Sequence, residues 1–308
     1  MIAPAVCVIY NPTAGRGRAR RRLATLRHAW GSKACFQPTR VAGHGEELAL
    51  QAAKDGFAVV AAAGGDGTVH EVANGVLRAG RPEVALAVFP VGSANDYAHS
   101  LGLEGEWWLR AGSGPATRRV DVGLVRTAAG RERYFVNGLG LGFNGVVTME
   151  ARRIRRLQGV LLYGFALLRA LYYHYTCPRM AITLDGALRE TPTLALTVAI
   201  GRREGNFVMA PHAVIDDGLF DYLHAGAVSR YALLRHVPGM ITGNLPTDHP
   251  AIWTGRCRQV RVHSEMPLPV HLDGELFSTP EDGLRDLEIC ILPGALKVHT
   301  GTAMMGDT

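Results

Sequence analysis

Residues 57–68 read Phe-Ala-Val-Val-Ala-Ala-Ala-Gly-Gly-Asp-Gly-Thr. The unbroken apolar run from Phe57 to Ala63 suits a strand of a parallel sheet, buried on both faces. Gly64 and Gly65 stop the run, and Val69 to Leu77 has the pattern of a following helix. Glycine lets the backbone approach an anion closely. The N–H groups at the start of the next helix can then bind phosphate. Asp66 adds a carboxylate that can hold Mg2+ beside phosphates. Thr68 can cap the helix or contact phosphate. Taken alone, such a turn can also serve β-α geometry only.

The same unit recurs on either side. Ala5 to Tyr10 reads as a strand, followed by Asn11-Pro12-Thr13-Ala14-Gly15-Arg16-Gly17 and a basic helix from Arg18 to Trp30. Cys35 to Thr39 and Glu46 to Asp55 read as the next strand and helix. Val84 to Phe89 is a further buried strand, then Pro90-Val91-Gly92-Ser93-Ala94-Asn95-Asp96 opens a helix reaching Ser100. Repeated β-loop-α units predict a parallel sheet with helices on both sides. Ligands gather at the carboxyl ends of such strands, where all three glycine turns fall. Asn11, Thr13, Arg16, Ser93, Asn95 and Asp96 place polar groups there.

After about residue 115 the texture changes. Short strand signals at Arg119–Arg126, Arg133–Gly138, Met180–Leu184, Leu194–Gly201, Gly218–His224, Gln259–His263 and Leu268–Leu272 alternate with turns such as Asp185-Gly186 and Asp217-Gly218. One helix, Val147 to His174, interrupts them. The division expected is an α/β nucleotide-binding domain over 1–117 and a mostly antiparallel β-rich domain over 118–308. The C-terminal tail is expected to return to the first domain.

Composition narrows the function classes. The formal net charge of +6 favours anionic partners: nucleotides, nucleic acid or acidic lipid surfaces. Arginines cluster at Arg16, Arg18, Arg20, Arg21 and Arg22, and again at Arg152, Arg153, Arg155 and Arg156. The five cysteines lie far apart with no CxxC pair, against a disulfide framework or zinc site. The N-terminus reads as a buried strand and not a signal peptide. The longest apolar stretch, Gly159 to Tyr175, contains Arg169 and His174 and is too short to span a bilayer. A cytoplasmic or peripheral location is the expectation. Trp107 and Trp108 read as packing residues.

Together, NPTAGRG, GGDGTVHEVANG and PVGSANDYA resemble the diacylglycerol kinase catalytic superfamily, which includes sphingosine and ceramide kinases. Length and spacing look most like its small soluble bacterial lipid kinases. The second half agrees at Val120-Asp121-Val122-Gly123, Asn137 to Phe143, Asp216 to Asp221 and Leu272-Asp273-Gly274-Glu275. The resemblance covers nearly the whole chain, although GGDGT alone is shared with NAD kinases. It implies a Rossmann-like α/β domain, as in NAD kinases and diacylglycerol kinases, followed by a β-sandwich. It places ATP contacts on Asn11, Thr13, Arg16, Thr39, Gly64, Gly65, Asp66, Gly67, Thr68, Val69, His70, Glu71, Ser93, Asn95 and Asp96. The catalytic carboxylate would be Glu275 or Asp273, with Asp66 acting through Mg2+. A structural Mg2+ site would use Asp217 with the carbonyls of Val214 and Leu219. Arg16 stands where lysine is frequent, which changes the geometry of the charge. Ser93 replaces the usual threonine and keeps the hydroxyl.

The implied activity is transfer of the γ-phosphoryl group of ATP to a lipid hydroxyl. That chemistry needs phosphate positioning, metal neutralisation and a proton acceptor. The glycine turns, Asp66 with Asp96, and Asp273 or Glu275 can meet these needs, provided the acidic turn faces the γ-phosphate. The expected partner is a lipid at a membrane surface, with contact to anionic lipid near Arg152–Arg156. Nucleic acid is not expected, and a homodimer stays open. A kinase of a soluble substrate such as NAD, and a non-catalytic lipid-binding relative, are the competing readings.

Overall fold

The computed structural model describes residues 6–31, 34–103, 107, 117–154, 157, 159–205, 207–245 and 247–300. Its contacts separate the chain into two compact units, Met1–Asp121 with Gly294–Thr308, and Val122–Pro293.

The first unit holds β1 (Val6–Tyr10), α1 (Arg18–Trp30), β2 (Ala34–Pro38), α2 (His44–Lys54), β3 (Val59–Gly64), α3 (Asp66–Arg78), β4 (Ala85–Pro90) and α4 (Asp96–Ser100). Its strands run parallel in the order β2-β1-β3-β4, with Cys7 opposite Cys35, Ile9 opposite Ala62 and Ala61 opposite Ala87. The sheet gains a further parallel strand when Lys297–His299 pair with Ala85–Ala87. Every strand is therefore fed by a crossover, the expected doubly covered arrangement. Val60 to Ala63 have no exposed surface, and their small side chains let helices settle close to the sheet. Helices α2 and α3 touch so closely that a Cβ on Gly75 would lie 2.3 Å from the Glu46 carbonyl oxygen. Trp107 packs between Phe89 and His299, at 5.6 and 5.7 Å between ring centres, and its indole N–H donates to the Val88 carbonyl at 2.8 Å. Trp108 lies outside the described residues.

The second unit begins within β5 (Thr117–Thr127). It continues through β6 (Glu132–Phe135), β7 (Gly138–Gly142), α5 (Phe143–Arg153), α6 (Gly159–Tyr173), β8 (Arg179–Leu184), β9 (Ala187–Ala199), β10 (Arg203–Glu204) and β11 (Phe207–Val208). Then follow β12 (Phe220–Gly226), α7 (Arg230–Thr242), β13 (Ile252–Cys257), β14 (Gln259–Ser264), β15 (Val270–Leu272), β16 (Glu275–Ser278) and β17 (Asp286–His299), the last of which ends in the first unit. Among the described residues, β6 pairs with β5, β7 and β8 with β9, β14 with β8 and β17, β12 with β9 and β13, and β15 with β7 and β16, each antiparallel. β9 organises them: residues 187–192 pair with β8, while its distal half pairs with β7 and β12. One long strand thus serves both layers of an antiparallel β-sandwich.

Two helices stand where one was expected. The first ends at Arg153, and Ile154 leaves the helix in an extended conformation (φ −95°, ψ 110°). A further helix, α7, was not anticipated. Among the described residues, no helix is long and apolar enough to cross a membrane.

Candidate active site

In the first unit, the loops after β1, β3 and β4 are tied to one another. The Asn11 N–H donates to the Ala63 carbonyl at 3.2 Å, which anchors the first loop to the end of β3. The Asn11 side-chain oxygen accepts from the Thr13 N–H at 2.9 Å and the Thr13 hydroxyl at 2.8 Å. The third loop hooks onto the second, because Val91 and Gly92 N–H groups both donate to the Gly64 carbonyl at 3.1 Å. Asn95 holds that loop in shape. It sits in the left-handed region (φ 55°) and exchanges hydrogen bonds with the Gly92 backbone at 3.0 and 3.1 Å.

Glycine is required at Gly92 by proximity: a Cβ there would lie 2.4 Å from the Gly65 Cα. Gly65 is the N-cap of α3 and offers no side-chain cap, so first-turn N–H groups remain for an anion. Asp66 opens α3, and its Oδ1 accepts from the Tyr97 N–H in the first turn of α4 at 3.3 Å. Asp66 and Asp96 therefore begin two helices joined at their starts. Two carboxylates there are hard oxygen donors of the type Mg2+ prefers, so this pair fits a dication brought with a nucleotide.

The remaining expected nucleotide residues divide by role. Thr68, Val69 and His70 are buried, which leaves mainly their backbone to face a ligand. Ser93 is exposed. The Glu71 carboxylate is engaged elsewhere: its two oxygens accept from the Gly43 N–H at 2.7 Å and the Gly45 N–H at 2.9 Å. It thus caps α2, whose N-cap Gly43 has no side chain to do so. That clamp fixes the loop following Thr39, whose own N–H donates to the Tyr10 carbonyl at 2.9 Å. The Arg16 side chain lies outside the described residues. In the basic helix, Arg22 donates to the Pro90 carbonyl at 3.0 Å and so braces the third loop.

In the second unit, the two carboxylates of the Asp273-Gly274-Glu275 turn have different surroundings. Asp273 adopts φ 51° and is buried. Its Oδ1 accepts from Asn137 N–H at 2.8 Å and Gly138 N–H at 3.0 Å, and its Oδ2 from Val136 N–H at 3.1 Å. Glu275 is half-exposed and ion-paired with Arg152.

The expected structural metal ligands are arranged otherwise. Asp217 Oδ1 accepts from the Leu219 N–H at 3.1 Å, and its Oδ2 lies 3.0 Å from the Arg256 guanidinium. Arg256 also reaches Asp221 at 3.4 Å. Burial raises the Asp221 carboxyl above its ordinary range, against the pull of Arg256. Val214 is exposed. In this arrangement the Arg256 guanidinium neutralises the carboxylate that a dication would use. Among the described residues, no group of three or more His, Cys, Asp or Glu could hold a metal.

The second unit also holds a partly open, mainly apolar cavity of about 130 Å³. Val147 of α5, Leu167 of α6, Leu194 of β9 and Met240 of α7 supply apolar walls. Its polar lining includes Asn144, bonded to the Thr197 hydroxyl at 2.7 Å, Glu204, 2.7 Å from the buried His271 ring, and His236 of α7. The apolar periodicity over Gln158–Tyr175 admits, beside a core-facing helix, one that lines an acyl-chain pocket or touches lipid; the walls from β9 and α7 come from elements far apart in the chain and were not legible.

The diacylglycerol kinase catalytic domain family matches residues 5–125. The YegS C-terminal NAD kinase beta sandwich-like domain family matches residues 138–300. A diacylglycerol kinase of Bacillus subtilis (strain 168) is 30% identical over 280 residues, covering 87% of this chain and 88% of its own. A Chromohalobacter salexigens protein named "Probable lipid kinase YegS-like" is 33% identical over 297 residues, covering 94% of this chain and 90% of its own. A crystal structure of a diacylglycerol kinase from Bacillus anthracis str. Sterne superimposes with a TM-score of 0.69 at 19% identity. That match covers 99% of this chain and 100% of that one, and shows a shared fold.

Proposed function

This chain belongs to the diacylglycerol kinase catalytic-domain family, and from that premise we propose that it moves the γ-phosphoryl group of ATP to a hydroxyl of diacylglycerol or a related lipid. The observation that carries the reading is the interlock of the glycine loops, in which Val91 and Gly92 bond Gly64 while Tyr97 bonds Asp66. Such an interlock presents backbone N–H groups and two helix starts at one sheet edge, where phosphates are held.

Asn11, Thr13, Asn95 and the first turn of α3 orient the nucleotide phosphates. Asp66 and Asp96 would hold the Mg2+ that accompanies ATP, which would supply neutralisation of the charge developing on the phosphates. Glu275 accepts the proton of the lipid hydroxyl. Its half-exposed carboxylate is accessible, whereas that of Asp273 fastens the backbone at 136–138. Arg152 must release Glu275 for this step, and an anionic substrate group gives the guanidinium another partner. The apolar cavity takes part of an acyl chain, with Asn144 and Glu204 marking its polar wall. The enzyme works at a membrane surface, where its substrate resides.

The test is incubation with γ-labelled ATP, Mg2+ and a lipid extract. Label entering the organic phase supports the reading. Label remaining in water, on NAD or as phosphate, refutes it.

A further inference from the structure

Helix α6 carries one charged residue, Arg169, and is otherwise apolar or aromatic, yet it lies at the surface. Its inward residues Ala166, Ala170 and Leu171 are buried, and Leu167 packs on the same core cluster as Phe143 and Leu194. Tyr163 and Leu167 also line the cavity. The opposite side carries Leu161 (73% exposed), Phe165 (47%), Leu168 (52%) and Tyr172 (74%). These positions follow i, i+4, i+7 and i+11, one continuous stripe along the helix. A stripe of that spacing on a globular protein normally faces the core, whereas here the core side is separately filled. At 15 residues the helix is about 22 Å long, too short to span a bilayer. Its shape suits lying in an interface instead.

The neighbouring α7 extends the feature. Leu233 joins the cluster that buries α6, while Tyr231 (77% exposed) and Leu234 (40%) face outward. Neither helix contains a carboxylate, and together they carry Arg169, Arg230 and Arg235. The acidic groups facing them are few. Glu150 of α5 is 1% exposed and bonded by Arg153 and Arg169, each at 2.6 Å, and by His174 at 3.4 Å. Burial would raise its carboxyl, but these cations together hold it below the ordinary range. The surface around the stripe is thus apolar with a cationic border, complementary to an anionic lipid surface and not to a basic protein.

We propose that the outer stripe of α6, with Tyr231 and Leu234 of α7, is the surface by which this protein docks on an anionic bilayer. The stripe enters the headgroup–acyl boundary, and the exposed Arg230 and Arg235 meet lipid phosphates. This deepens the lipid-kinase reading and rests on it for the purpose of docking: the same helix that touches the bilayer lines the acyl cavity on its other side.

The experiment is flotation with vesicles of phosphatidylcholine and phosphatidylglycerol, without ATP. Wild type is compared with Leu161→Ser/Phe165→Ser and with Leu188→Ser, which alters an exposed leucine on β9. The double variant is expected to lose at least tenfold in vesicle partitioning, as removal of two buried apolar side chains implies. The Leu188 variant should float like wild type. A second readout, Phe165→Trp, should show a blue-shifted emission quenched by brominated lipid. Unchanged flotation of the double variant overturns the proposal. So does light scattering that shows a dimer which the double substitution dissolves, since the stripe would then cover a second copy. Phosphorylation of micelle-dispersed short-chain diacylglycerol, measured in parallel, separates the two claims. Stripe-dependent flotation without any lipid phosphorylation would defeat the kinase reading alone, and normal phosphorylation with stripe-independent flotation would defeat the docking surface alone.

Discussion

The Asn137 N–H donates to Oδ1 of Asp273 at 2.8 Å, across a separation of 136 residues. With Gly138 and Val136 also donating, the carboxylate closes the turn between β6 and β7 while standing two residues from Glu275. Asp273→Asn replaces one acceptor oxygen by an NH2 group. At least one buried N–H then loses its partner, a cost of roughly 1–3 kcal/mol. Urea unfolding should show a lower midpoint with an unchanged slope.

Glu275→Gln should behave in the opposite way. Its pair with Arg152 is about half-exposed on both sides, so the stability change should stay within roughly 1 kcal/mol. Turnover should fall about 10²- to 10⁴-fold if this group accepts the hydroxyl proton. The comparison is a melt beside a kcat measurement: loss of both together would make Glu275 structural.

Asp66→Ala should abolish phosphoryl transfer and leave the chain folded: the bond that its carboxylate accepts from the Tyr97 N–H, in the first turn of α4, is long at 3.3 Å, and α3 begins at Gly65 without a side-chain cap. Circular dichroism and a transfer assay on one preparation check this. Near-normal turnover would remove its metal-holding role.

Glu71→Gln should act on the nucleotide at a distance. One of the Gly43 and Gly45 N–H groups loses its acceptor, and the loop after Thr39 loosens. Calorimetry with a non-hydrolysable ATP analogue should show affinity reduced about tenfold, roughly 1.4 kcal/mol. An unchanged affinity would show that the clamp serves stability only.

His224 sets a pH dependence. It has no exposed surface, stacks on Trp253 at 3.8 Å, and its Nε2 lies 3.0 Å from the Thr193 hydroxyl. Burial, assisted by Arg189, pushes it from 6.5 down to about 4. The unfolded chain then binds a proton near pH 6.5 while the native ring resists until about 4. Stability is full above pH 6.5 and falls by about 3 kcal/mol as pH drops through that window. His224→Gln should flatten this part of the acid limb in unfolding titrations.

The glycine loops and the strands before them were legible because their signals are local. A run such as Val59–Ala63 is continuous in sequence, and its loop follows at once. Helix α7 was not legible: it contains Pro238 and buries no residue, so it shows neither composition nor periodicity. The break after Arg153 was hidden because the apolar pattern resumes at Gly159. β17 contains Pro293-Gly294, which reads as a turn. At the site, residue types were legible and duties were not. Glu71 finds its partners 26 and 28 residues away, and Asp273 more than 130 away, at spacings that no local motif encodes.

The most direct measurement offers the protein labelled ATP and Mg2+ with purified diacylglycerol in mixed micelles in one tube and NAD in another, and identifies products by mass. The account predicts a phosphatidate in the first, absent with Asp66→Ala and Glu275→Gln, and no phosphorylated dinucleotide in the second. NAD phosphate with no labelled lipid would contradict it.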